Sequence, residues 1–324
     1  MATAYPKSFH TIPQQIALLE GRGLDVGPPG YAESALERYG YYRLSGSWYL
    51  LRQSVTTQSL NGKLHVTRLD AFVPGTSIIY AVELAEFDRR LRLLFLEAVE
   101  RIEVGLRVRV ALLLGARDPF AHRHSSEFHG KFTKKVNSKT GNTFFEDWLK
   151  KLDTLEGRSK EEFTKHHRIK YPGPLPVWVS IEVWDFGFLS TLISGMTITD
   201  QDDLSLMYQI SRRGLLTSAL RAINHVRNIC AHHSRLWNRS PADQVAQPKL
   251  GEVPLLNHLA GDQFALTRIY ATAAFMQFLL RQIDPSLTWA TRLAALWDTF
   301  PSRPGVYKGD SGFPEHWQAL PLWS

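Results

Sequence analysis

A mainly α-helical fold follows from three features of the 324-residue sequence. Apolar residues recur at three- and four-residue spacing over long stretches, strand and helix patterns do not alternate, and only one segment carries a hairpin signal. From Thr11 to Arg52 the chain reads as short helices, with Gly21 and Gly23 as stops. Ser54 to Phe72 carries β-branched residues around Asn61-Gly62, which predicts one β-ribbon. Thr76 to Gly115 predicts a long helix, because Phe87, Leu91, Leu94, Ala98, Ile102, Leu106, Val110 and Leu113 repeat on one face. Glu103 and Arg107 are placed to pair on its polar side. Further helices are expected over Phe144–Glu156, Lys160–His167, Val177–Ile193, Arg213–Trp237, Asp262–Gln282 and Leu287–Trp297. Between them YPGPLP (Tyr171 to Pro176) forms a rigid non-helical connection, and the Pro- and Gly-rich chain from Pro301 onward is expected to be irregular. This divides the chain into an N-terminal helical subdomain with the hairpin (1–75), a helical domain (76–285), and a C-terminal helix and tail packed on the core (286–324).

Composition narrows the function. With 44% hydrophobic and 21% charged residues, neither wholesale disorder nor a fibrous repeat fits. The single cysteine, Cys230, excludes an intramolecular disulfide and a Cys-rich zinc site, and points to a reducing, cytoplasmic setting. No apolar run approaches the roughly 18 residues that span a bilayer, and no basic segment followed by a hydrophobic one precedes Pro13, so neither membrane insertion nor a signal peptide is expected.

The net charge of +7 is unevenly spread. From Leu204 to Ala242 there is no Asp or Glu, yet Arg212, Arg213, Arg221, Arg227, Arg235 and Arg239 fall there with His225, His232 and His233. A second basic run, Lys131 to Lys139, reads most simply as a solvated loop. On a helix turning 100° per residue, Leu216, Ala219, Ile223, Val226 and Cys230 share the core face. The opposite face collects Arg221, His225, Asn228, His232, Arg235 and Arg239, a set suited to phosphate. Trp237 reads either as a base-stacking platform or as a core ring. The histidines lack the spacing of a metal helix and no nearby carboxylate completes a site, so no metal and no cofactor are expected. An imidazole beside guanidinium groups is the equipment of metal-free RNA cleavage, in which one moves a proton and the other stabilises the phosphorane.

These residues also resemble a known family. Arg227-Asn228-Ile229-Cys230-Ala231-His232 has the R-N-x-x-x-H form of the HEPN ribonuclease motif, and RNICAHHSRLWNR is similar to the signature of the Abi-like proteins, the AbiD/AbiF abortive-infection group of bacterial phage defence. YPKSFHTIPQQIALLEGRGL, ERYGYYRLSGSWYLLR, EFDRRLRLLFLEAVERIEVGLR and LPVWVSIEVWDFGFLSTLISGM resemble blocks of that family in the same order. The stretch Ser47 to Leu50 departs from it, standing where an aromatic and proline-bearing stretch is expected. The resemblance implies a HEPN-like helical core, a homodimer, and RNA cleavage that leaves a 2′,3′-cyclic phosphate. It further implies that Arg227 stabilises the scissile phosphate, His232 acts as general acid or base, and Asn228 positions one of them, with Arg221, His225, His233, Arg235, Trp237 and Arg239 as RNA-binding residues. A non-catalytic module that docks a structured small RNA, such as an antitoxin RNA, is the alternative.

The spacing creates a difficulty. Five residues on a straight helix point Arg227 and His232 about 140° apart. Either the helix kinks at the motif or two copies build a composite site across a two-fold axis. An Arg227 at the core edge would also call for a carboxylate, with Glu100, Glu103 and Glu182 as the available partners.

Overall fold

The computed structural model describes residues 8–59, 61–62 and 64–324. Helices α1 (Ile12–Gly21), α2 (Tyr31–Tyr39) and α3 (Tyr41–Trp48) precede strands β1 (Arg52–Gln58) and β2 (Leu64–Phe72), and α4 runs from Ile78 to Gly115. There follow α5 (Gly130–Thr133), α6 (Phe144–Arg158), α7 (Glu162–Lys170), α8 (Val177–Ser180), α9 (Phe186–Gly195), α10 (Ile198–Met207) and α11 (Arg213–Ala231). The last are α12 (Gln263–Leu266), α13 (Ile269–Ile283) and α14 (Trp289–Asp298). The fold is mainly α, and β1 and β2 form a two-stranded antiparallel ribbon in which Arg52 opposes Phe72 and Gln58 opposes Leu64. Gly62 in its turn has φ 80°, the left-handed conformation that an Asn-Gly hairpin demands.

The chain separates into two compact units, and the division falls within α4. One comprises Met1–Arg92 and Leu293–Asp310. Its core gathers Leu19, Leu36, Leu44 and Trp48, and Phe87 packs edge-on against Trp297 (5.6 Å) and Phe300 (4.9 Å). α1 starts at a capping box, in which Thr11 and Gln14 satisfy backbone N–H groups that the first helical turn leaves without partners.

The second unit comprises Leu93–Arg292 and Ser311–Ser324. α13 is its centre, since every residue from Ile269 to Leu280 is buried. α11 packs against α13 and α9, and Leu216, Ala219, Ile223, Val226 and Cys230, the face that the helical period assigns to the core, are buried. The irregular C-terminal chain joins this core: Leu322 and Trp323 are buried, and Arg281 donates to the Pro321 carbonyl at 2.7 Å. On α4 the buried line is Phe95, Ala98, Ile102, Leu106, Val110 and Leu114. Leu94 and Leu113, expected inside, are each displaced by a neighbour one step along the helix.

Three expected helices are interrupted. Val177–Ile193 breaks at Trp184-Asp185, where the backbone extends and the Asp185 carboxylate accepts from the Phe188 N–H at 2.7 Å, capping α9. Asp262–Gln282 breaks at the extended Arg268, between α12 and α13. Arg213–Trp237 ends six residues early, with consequences for the site below. The lysine run starts in α5 and continues as a loop, beside which Asp147 accepts from Thr140, Asn142 and Asn137, which holds its carboxyl below the usual range.

Gly195 gives a direct test of this packing. A Cβ there would lie 2.4 Å from Phe132 Cδ1, a ring itself wedged between Phe128 and Phe145. Gly195→Ala is expected to destabilise the chain by about 1–3 kcal/mol through overpacking, read as a lower urea midpoint. An unchanged midpoint would show that Phe132 has room to move.

Candidate functional site

The arginine-rich helix α11 stops at Ala231 because a Schellman motif closes it. The His233 N–H bonds to the Cys230 carbonyl (3.0 Å) and the Ser234 N–H to that of Ile229 (2.9 Å). His233 takes the left-handed C′ position at φ 56°, where glycine is the usual occupant. His232 is therefore the C-cap, with φ −89° and ψ 10°, exposed at the helix end. The difficulty raised by a straight helix thus changes form: Arg227 and Asn228 belong to the regular helix, and His232 stands where it terminates. Its N–H bonds to the Asn228 carbonyl at 3.0 Å, so the motif's amide and histidine are linked through the backbone.

Arg227 is half-buried and donates to Asn228 Oδ1 at 3.3 Å. Its carboxylate neighbour comes from α4. Burial pushes the Glu103 carboxyl up from its ordinary value, and the positive charges of Arg107 and then Arg227 oppose that rise. Arg107 forms the expected i,i+4 pair with Glu103, reaches Glu182 at 3.6 Å, and donates to the Trp184 carbonyl. On the neighbouring turn of α11, Asn224 faces the start of α9. A Cβ on Gly187 would lie 3.2 Å from Asn224 Oδ1 and 3.3 Å from Asp185 Oδ1, so glycine is what lets these polar groups approach. The site is thus a guanidinium and two amides at the end of α11, backed by a half-buried Glu–Arg pair on α4 and by the α9 cap, with an exposed imidazole at the helix terminus.

Several predicted RNA contacts have a different place. Because the helix ends at Ala231, Arg235 and Arg239 lie beyond it, and the helical-face arithmetic that grouped them with Arg221 and His232 does not reach them. Trp237 is fully buried, so the base-stacking reading is corrected: its ring is part of the core and has no open face. The His225 ring accepts from the Ala242 N–H at 3.2 Å, since the chain after α11 folds back along it; Ser218 likewise receives the Ala246 N–H at 2.9 Å. Arg221, His232, His233 and Arg239 are exposed, and Arg235 is half-buried. The acid-free run is partly neutralised from elsewhere, with Arg212 on Glu252 (2.6 Å) and Arg213 on Asp202 (3.1 Å). Among the described residues no group of three or more His, Cys, Asp or Glu side chains is placed to hold a metal ion. Nor is any helix among them long and apolar enough to cross a membrane.

Asp185 and Asn224 are the parts of this site not singled out from sequence. An aspartate directly before the apolar run FGFLS is an N-cap signal, and it would have marked the break. Asn224 had no comparable sign.

Fold and site together define a mainly helical protein with an Arg-Asn-x-x-x-His sequence at the end of a capped helix. The profile of the family described as Abi-like protein matches residues 34–238, more than half of the chain and inclusive of this site. The chain belongs to the Abi-like family. Comparison with curated proteins and with solved structures gives no match.

Proposed function

We propose that this protein is a metal-independent endoribonuclease of HEPN type, acting in the cytoplasm in abortive-infection defence or as a regulated toxin. The observation that carries the reading is the Arg-Asn-x-x-x-His sequence of this Abi-like chain, in which His232 caps the end of α11 and the half-buried Arg227 donates to Asn228. In this reaction the 2′-oxygen attacks the adjacent phosphorus as the bond to the 5′-oxygen breaks. His232 takes the proton of the 2′-OH or delivers one to the leaving oxygen, and Arg227 stabilises the charge on the phosphorane. The products are a 2′,3′-cyclic phosphate and a 5′-OH. A homodimer in which the Arg227–His232 segments of two copies face one another would bring a second imidazole to the same phosphate.

A second reading rests on the charge of Arg227 acting on Glu103. If Arg227 serves chiefly to offset that half-buried carboxylate, the chain is a non-catalytic module that binds a structured RNA through its exposed arginines. Incubating purified protein with labelled RNA, with and without a chelator, separates the two: the enzyme cuts in both conditions and the binder in neither.

RNA affinity should fall as salt rises, through counterion release, but less steeply than six arginines would give, because Arg212 and Arg213 are paired within the protein. Arg221→Glu is expected to weaken binding across all sequences and to flatten the salt dependence. A change confined to sequence preference would show instead that Arg221 reads bases.

A further inference from the structure

A second acid-free stretch lies outside the proposed site. From Phe163 to Ile181 there is no Asp or Glu, while Lys165, Arg168 and Lys170 bring positive charge and His166 and His167 lie between them. α7 carries most of this. Thr164 turns inward and Arg168 donates to the Glu156 carbonyl, which leaves Lys165, His166, Ile169 and Lys170 on the outer side. Cations near a helix C-terminus are favoured by the helix dipole alone. The dipole does not account for the large rings held in solvent beside them. Tyr171 is 48% exposed, with the His167 ring 4.8 Å away and Lys170 Nζ 5.4 Å from its centroid. Trp178 is 50% exposed and lies flank-on to the end of α4, where a Cβ on Gly115 would be 3.2 Å from its Cε3.

We propose that Lys165, Lys170, Tyr171 and Trp178 form a docking surface for single-stranded RNA, which rests on the ribonuclease reading of the α11 site and extends it to the way substrate is held. Charge and ring together select the occupant: ammonium groups meet phosphates, and half-exposed rings stack on bases, which a duplex keeps covered. α4 sets the distance to the site. Trp178 rests on Gly115, whereas Arg107, eight residues earlier, holds Glu103 and the Trp184 carbonyl. At 1.5 Å per residue the two positions are about 12 Å apart along the helix, a span that a few nucleotides of single strand cover. The chain from Val177 to Asp185 runs between them, carrying the exposed ring at one end and the α9 cap at the other.

The test uses the full chain and a short fluorescent oligouridine with 2′-O-methyl riboses, which lacks the nucleophile and is not cut. Tyr171→Ala and Trp178→Ala are each expected to weaken binding by about tenfold or more in anisotropy titrations. Lys165→Glu with Lys170→Glu should weaken it and flatten the salt dependence. Tyr171 and Lys170 are exposed, so their variants keep the test valid if Trp178→Ala disturbs folding. Affinities within about twofold of the parent for Tyr171→Ala and the double lysine variant would overturn the surface and leave its rings for a protein partner. Binding that depends on these residues in a chain that cuts no RNA would instead overturn the nuclease reading while this surface stands.

Discussion

His232→Ala is expected to lower RNA cleavage by about 10²–10⁴-fold while leaving RNA affinity nearly unchanged. The size of the loss is that of general acid–base catalysis, because the exposed imidazole at the α11 C-cap is the group proposed to move the proton. Affinity survives because the arginine guanidinium groups are proposed to hold the phosphates, so the effect belongs to the rate of the chemical step. Arg227→Ala should differ in kind. The guanidinium charge acts in both the ground and transition states, so rate and affinity both fall. Its removal also takes away one of the positive charges that act on the half-buried Glu103. Single-turnover rates and binding isotherms for the two variants check this contrast. A His232→Ala protein that cleaves at the parent rate would remove the proposed chemistry.

The other large effect concerns stability. His122, in the turn after α4, is fully buried with neither ring nitrogen in a hydrogen bond, its ring 5.9 Å from that of Trp184. Burial, and then the positive charges of Arg123 and His124, hold its pKa down to about 3. The unfolded chain takes up a proton at this ring near the ordinary imidazole value of about 6.5, and the folded chain resists until pH about 3. The contribution to stability is therefore present above pH about 6.5 and is lost as the pH falls toward 3, at a slope of about 1.4 kcal/mol per pH unit. His122→Leu should remove that slope because leucine has no titratable group, and it also takes out two unsatisfied polar atoms. Urea midpoints across this range, compared between parent and variant, isolate the effect because carboxylate titrations are common to both. Parallel pH profiles would contradict it.

Much of the fold was legible in the sequence because it rests on local signals. The Asn-Gly turn marks the ribbon, and the three-four spacing marks α4 and the buried face of α11, where Val226 and Cys230 are inside as their positions require. Element ends were read less well. Helix α11 terminates on a histidine in the left-handed conformation, a position at which only glycine would have been an obvious stop. The site divides along the same line. Arg227, Asn228 and His232 are contiguous and carry a motif, and Glu103 was within reach of inspection as one of three candidate carboxylates. Asn224 was not, because its meaning depends on Gly187 approaching from another helix. Charge misled for the same reason. A stretch without acids still finds Glu252 and Asp202 from segments outside it, and Trp237 between two arginines turns out to be core.

The central claim, RNA cleavage by 2′-OH attack under Arg227 and His232, is tested most directly by the chemistry of the product ends. Labelled RNA cut in the presence of a chelator, with its fragments weighed by mass spectrometry, should show 2′,3′-cyclic phosphate and 5′-OH termini, and a strand with deoxyribose at the cut site should survive intact. Fragments ending in a 3′-OH, or cutting of the deoxy-substituted strand, would contradict the mechanism.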